Sequence, residues 1–246
     1  MTMILLFVTL LILFIVSRAR EKQKQQVIST VTDLTRGEHS ERDLVYRLIR
    51  GGIPPHTIFH DLYVPTTNGH SQIDLVVTTN VGIFVIEVKD YSGWIFGNGL
   101  HDKWTKVLAY GQEKHQFYNP IKQNERHIEA LRNALPQLKN IPFFSIVVFD
   151  GSSEIREISN VPYNCRVVYP RQVVDLIKNA MSELAPAPYT DKWEVMNLLK
   201  QSAYNGYNDD IVSAHLRKAQ MASRGKYKST YSYEPRFVRK WRRFTR

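Results

Sequence analysis

The chain has 246 residues, 43% of them hydrophobic, with 33 Lys+Arg against 23 Asp+Glu and a formal net charge of +10. That length suits one sizeable domain with appendages or two small domains, and the composition excludes global disorder and a polytopic membrane protein. The single cysteine, Cys165, excludes an internal disulfide and any zinc site built from several cysteines, and it points to a reducing compartment.

Residues 1–16, MTMILLFVTLLILFIV, carry no charged side chain. As a helix they rise about 24 Å, slightly short of a hydrocarbon core of about 30 Å. Bilayer thinning or snorkelling of Arg18 and Arg20 closes that gap. A cleaved signal peptide and a buried helix are the alternatives. No basic residue precedes the run and no small-x-small cleavage site follows it, whereas Arg18, Arg20, Lys22 and Lys24 do follow. Positive charge of this kind stays on the cytoplasmic side. The expectation is a single-pass cell-membrane anchor over 1–17, its N-terminus outside and the remainder cytoplasmic, with 18–35 as a polar stalk.

The main domain is expected over 36–181. Leu44, Val45, Leu48 and Ile49 recur at helical spacing within 37–49, and Gly51-Gly52 stops that helix. Residues 56–64 read as a strand ended by Pro65 and a Thr-Thr-Asn-Gly turn. Two β-branched-rich runs, 71–78 and 82–89, are joined by a tight turn at Asn80-Val81. Short strands follow at 94–97 and 103–109, then a helix at 123–135 with Ile128, Leu131 and Leu135 on one face. Residues 143–149 form an apolar strand buried on both faces, 166–169 a short strand, and Pro170 opens a helix to 181. Residues 182–216 read as a linker and two short helices. The order is helix, three-strand antiparallel meander, helix, strand: an α/β layout with a mixed sheet flanked by helices, behind a transmembrane helix.

The charge is concentrated at the end. Residues 217–246 hold eleven Lys/Arg and one acid, Glu234, so the rest of the chain is neutral overall. Cations there alternate with Tyr227, Tyr231, Tyr233, Phe237, Trp241 and Phe244. Phosphates and stacked bases suit this mixture, as do anionic lipid headgroups, and a solvated terminus is the plain alternative.

Chemistry is expected on the hairpin. With a two-residue turn at Asn80-Val81, Asp74 lies opposite Glu87, their Cβ atoms about 4.5–5.5 Å apart. Alternation puts Lys89 on the same face, while Ile73, Leu75, Phe84, Ile86 and Val88 point the other way. Adjacent carboxylates repel unless a proton or cation intervenes, and Mg2+ held by oxygens would resolve this. A water on that ion can become a nucleophile, and the Lys89 ammonium can neutralise charge on a phosphate. A solvated face in which Lys89 merely balances two acids is the alternative.

The strings Ser71-Gln72-Ile73-Asp74, Gly82-Ile-Phe-Val-Ile-Glu87-Val-Lys89 and Ser92-Gly93 resemble the nuclease-related domain (NERD) family, within the wider PD-(D/E)xK nuclease superfamily. Gly37-Glu38, Trp104 and Asn119-Pro120-Ile121-x-Gln123 fit the same pattern, and the likeness runs over residues 36–149. The resemblance implies a PD-(D/E)xK nuclease-like core acting on DNA with Mg2+ or Mn2+. It further implies Asp74 and Glu87 as metal ligands, Lys89 as the catalytic lysine, Glu38 as an accessory acid and Gln123 as a polar residue lining the site. Ile73 stands where the superfamily's name places proline. A non-catalytic nucleic-acid or envelope-associated module that keeps this fold is the second reading.

Other candidates are weaker. His56 and His60 are four apart in a strand context and read as core or surface histidines. Gly97-Asn98-Gly99 has no third glycine or following helix. Cys165 reads as an inert buried thiol, and Trp94 and Trp104 as sheet-packing aromatics rather than base-stacking platforms.

Overall fold

The computed structural model describes residues 2–108, 111–138 and 140–226. The first helix, α1 (Thr2–Ile28), runs unbroken from the apolar segment into the positions expected to form a stalk, as far as Ile28. Its apolar side chains from Met3 to Val16 are exposed, and it is long and apolar enough to cross a membrane. Its other end is docked. Lys24 pairs with Asp43 at 2.6 Å and lies over the Tyr46 ring, and Ile28 is buried.

The body is mixed α/β with two sheets. After α2 (His39–Arg50), the strands β1 (Ile58–Thr66), β2 (Gly69–Thr78) and β3 (Ile83–Asp90) form an antiparallel meander. Beyond it, β7 (Phe143–Asp150) and β9 (Cys165–Val168) pair in parallel, giving the order β1-β2-β3-β7-β9. The second sheet has the order β6-β5-β4-β8, from β4 (Gly93–Asn98), β5 (Lys103–Leu108), β6 (Glu113–Tyr118) and β8 (Ser153–Ser159). Of these, β6 and β8 were not expected from sequence. Glu113, Lys114, His115 and Gln116 on β6 are all exposed, so an edge strand lacks the apolar signal that marks a buried one.

Helices cover both faces of the first sheet. On one side α2 and α4 (Pro170–Glu183) bury Leu44, Leu48, Val173 and Ile177 against Leu75, Val77, Phe84, Ile86 and Val148. On the other, α3 (Pro120–Ala134) and α5 (Lys192–Tyr204) bury Ile128, Leu131, Val195 and Leu199 against Phe59, Leu62, Ile73, Val76 and Val85. Asn119 starts α3: its Oδ1 accepts the Ile121 N–H while its amide donates to the carbonyls of residues 98, 99 and 101, joining helix to second sheet. The last helix, α6 (Asp209–Lys226), packs on β2. Most of the expected basic aromatic tail, residues 227–246, lies outside the described residues.

Candidate active site

The site lies where β2 and β3 part. The two-residue turn forms as expected, with the Thr79 N–H donating to the Gly82 carbonyl at 2.9 Å. The ladder then runs from Thr78 opposite Ile83 to Leu75 opposite Ile86. One step further the paired bonding ends: Asp74 Oδ2 instead accepts the backbone N–H of Val88 at 2.8 Å.

A kink in the neighbouring strand lies beside this parting. Asp61 has φ 53°, a left-handed conformation that Asp tolerates better than most residues. It falls between the pairs His60–Leu75 and Leu62–Ile73, opposite Asp74. Arg36 holds it there, with Nε donating to Asp61 Oδ2 at 3.1 Å and a further nitrogen to its carbonyl at 2.6 Å; the Gln72 amide donates to Oδ1 at 2.8 Å. At this step both strands change phase. Ile73, expected on the face of Leu75, lies instead with the α3 and α5 residues. Strict alternation fails because the kink re-phases the strand.

Glu87 points into the α3 side of the sheet and is 1% exposed, so it does not belong to a solvated hairpin face. Lys89 Nζ donates to Glu87 Oε1 at 2.5 Å and to Gln123 Oε1 of α3 at 3.1 Å. His127, one turn along α3, places Nε2 3.2 Å from Glu87 Oε2, and its Nδ1 lies 2.8 Å from the Ser71 hydroxyl. The Nε2 contact is off the line of a good hydrogen bond, so Glu87 Oε2 is buried without a well-aligned donor.

A second acid approaches from α2. Glu41 is buried at 5% exposure and Oε2 lies 3.1 Å from His60 Nε2. A carboxylate only accepts, so His60 Nε2–H is the donor, and its Nδ1 lies 2.7 Å from the Thr32 hydroxyl. A hydroxyl and an imidazole thus stand behind each of Glu41 and Glu87. Gly37 adopts φ +62° directly beside this group, where a Cβ would collide with the His60 ring and the Glu41 carboxylate.

The two central carboxylates are held apart electrostatically. Burial, then the charges of Glu87 and Glu41, push the Asp74 carboxyl well above its ordinary range, against the opposing pull of Lys89 and the Val88 N–H. Burial alone would raise Glu87 too, but the Lys89 ammonium and His127 outweigh it and hold this group below its ordinary value. Burial likewise opposes the Lys89 charge, and the Glu87 carboxylate overcomes it, so the ammonium stays protonated.

Of the residues singled out from sequence, Asp74, Glu87, Lys89 and Gln123 therefore converge. Glu38 does not join them. It is the exposed N-cap position of α2, and the acid facing Asp74 from that helix is Glu41. Sequence reasoning missed Glu41, His127 and His60 as site neighbours; of the two alternatives expected for His60, core or surface, it is a core histidine. Trp104 is buried and stacks on Phe149, as a packing aromatic.

The donor set fits a hard divalent ion. Asp74 and Glu87 offer oxygens alone, and one buried Glu87 oxygen has no aligned partner. Among the described residues no group of three or more His, Cys, Asp or Glu forms a metal cage.

Residues 36–150 match the family model described as nuclease-related domain. This segment is a nuclease-related domain. An uncharacterized protein of Bacillus anthracis is 32% identical over 103 residues, covering 42% of this chain and 47% of its own length. The chain thus spans about half of the curated relative it matches. No solved structure gives a significant match. The nuclease-related domain begins at Arg36, which anchors Asp61, and ends at Asp150, the last residue of β7. It contains every site residue named above except Thr32.

Proposed function

We propose that this chain is a membrane-anchored, metal-dependent nuclease that hydrolyses phosphodiester bonds in DNA at the Asp74–Glu87–Lys89 cluster. The observation that carries this is the convergence of Asp74, Glu87 and Lys89 at the parting of β2 and β3, with the lysine joining Glu87 to Gln123 of α3. Asp74 and Glu87 would hold Mg2+ or Mn2+. When bound, the ion would supply an acidified water and charge neutralisation at the phosphoryl group.

The protein's own residues do the rest. Glu87 and Gln123 aim the Lys89 ammonium, which stays charged and so acts on phosphate oxygen as a cation and donor, not as a base. Glu41 adds negative charge beside Asp74 and favours cation binding there. The PD-(D/E)xK core order supports the reading, since helix, antiparallel meander, helix and strand recur in α2, β1–β3, α3 and β7. The exposed apolar stretch of α1 supports the anchor, and the cations after it support a cytoplasmic site with the N-terminus outside.

The test is incubation of the detergent-solubilised full chain with DNA and Mg2+ or Mn2+. Cleavage that disappears with chelator and in both Asp74→Ala and Glu87→Ala is the expected result. Undiminished cleavage in either variant places the chemistry elsewhere.

A further inference from the structure

The docking of α1 fixes which side of the domain a bilayer meets. Lys24 holds Asp43 and Tyr46 of α2, and Tyr46 also borders a cleft with Leu13, Val16, Ser17 and Arg20 of α1. Going from Asp43 to Tyr46, α2 therefore runs back toward the apolar end of α1. Its C-terminal turn, with exposed Arg47 and Arg50, follows in the same direction. The Gly51-Gly52 turn that ends α2 lies against Val174 and Lys178 of α4, which brings exposed Lys178 to that end as well. On α1 itself Arg18, Arg20 and Lys22 are exposed. From Arg18 to Lys24 the helix rises about 9 Å, comparable to the Debye length of about 8–10 Å in physiological salt.

We propose that this end of the domain, comprising Arg18, Arg20 and Lys22 of α1, Arg47 and Arg50 of α2 and Lys178 of α4, is a docking surface for an anionic phospholipid bilayer. The proposal rests on α1 spanning that bilayer. Three features carry it: six exposed cations on three elements, interrupted by Glu21 and Asp175; their common direction; and a helix that reaches them without a break. Polybasic surfaces next to a membrane helix are drawn to anionic headgroups within a Debye length. The domain is thereby held against the membrane at its α2–α4 side rather than suspended from a flexible stalk.

The experiment uses the full chain in nanodiscs of phosphatidylcholine with or without phosphatidylglycerol. An Asn179→Cys variant carries a donor dye beside Lys178, Gln116→Cys carries it on distant β6, and acceptor lipids report approach; buried Cys165 does not compete for label. We expect energy transfer from position 179 to rise at least about twofold with phosphatidylglycerol and to collapse near 1 M salt, where the Debye length is about 3 Å. Position 116 should not respond. Arg47→Glu/Arg50→Glu/Lys178→Glu should lose the response while melting like the parent. Transfer that ignores lipid charge, or rises equally at both positions, overturns the docking surface. Alkaline carbonate decides the premise separately: release of the chain refutes the anchor itself, whereas retention without a phosphatidylglycerol response refutes only the docking.

Discussion

Replacing Asp74 with Asn should make the metal-free protein more stable, because this carboxylate is held where its charge is disfavoured. Its folded-state affinity for a proton is raised, chiefly by burial and then by Glu87 and Glu41. A carboxyl raised in this way contributes full stability below its unfolded value, near 3.9, and loses it as pH rises through the folded value. As pH rises above the unfolded value, the wild type therefore gives up stability that Asp74→Asn retains. Unit charges about 4–6 Å apart, the range over which neighbouring charges shift a pKa, repel by about 3–4 kcal/mol at an effective dielectric constant near 20, and the nearby Lys89 offsets part of this, leaving about 1–2 kcal/mol. For a chain of this size that is about 2–8 °C in Tm. Asn keeps an oxygen for the Val88 N–H, so the hydrogen bond survives. Thermal unfolding in EDTA at neutral pH, repeated near pH 3, is the assay, followed by titration with Mn2+. The variant should melt higher at neutral pH, match the wild type in acid, and gain less from the metal. A variant that melts below the wild type in EDTA at neutral pH would refute the electrostatic account of the site.

Four further outcomes follow from other contacts. His127→Ala should weaken Mn2+ binding about 10–100-fold by calorimetry, through loss of the group facing Glu87 Oε2, and His127→Gln should recover part of it. Arg36→Ala leaves buried Asp61 without its counter-ion and frees the Ala203 carbonyl, so a loss of about 3–5 kcal/mol and faster proteolysis within 184–191 are expected. Burial pushes the Cys165 thiol up to about 11, so alkylation of the native protein at pH 8 should run about a hundredfold slower than in denaturant. Deleting residues 2–17 should leave the domain's melting unchanged in detergent, whereas deleting 2–28 should lower it by removing Lys24 and buried Ile28.

The register of the central hairpin was legible because a two-residue turn fixes it, and Glu87 and Lys89 followed from simple alternation. The count that set Asp74 opposite Glu87 holds as far as Leu75 opposite Ile86, where the pairing stops; the bond from Val88 to Asp74 was not readable, since it depends on a kink at Asp61 in another strand. The accessory acid illustrates a signal that was present. Glu41 precedes Leu44, Val45 and Leu48 by three, four and seven residues, so it shares their buried stripe, whereas Glu38 falls before the first helical residue. Likewise Asn124 and His127 stand on the apolar stripe of α3 with Ile128 and Leu131, and a polar residue on such a stripe must have a buried partner. Asn124 finds the Val85 carbonyl and Ser145, and His127 finds Ser71 and Glu87. What could not be read was β8, where Glu154, Arg156 and Glu157 leave too little apolar surface to announce a strand; pairing with β4 and the bond from Ile155 N–H to the Tyr169 hydroxyl secure it.

The left-handed residue in β1 ties greasiness to aim. Upstream and downstream of position 61 the hydrophobic beat of the meander is out of step by one, and Asp74 occupies the missed beat, with Glu87 reaching it from one layer and Glu41 from the other. Straightening that strand with a β-branched residue would restore a regular rhythm, and in doing so would swing the carboxylate out of the gap between the two helical layers. Irregularity here is what lets one side chain be addressed by both sides of a sheet.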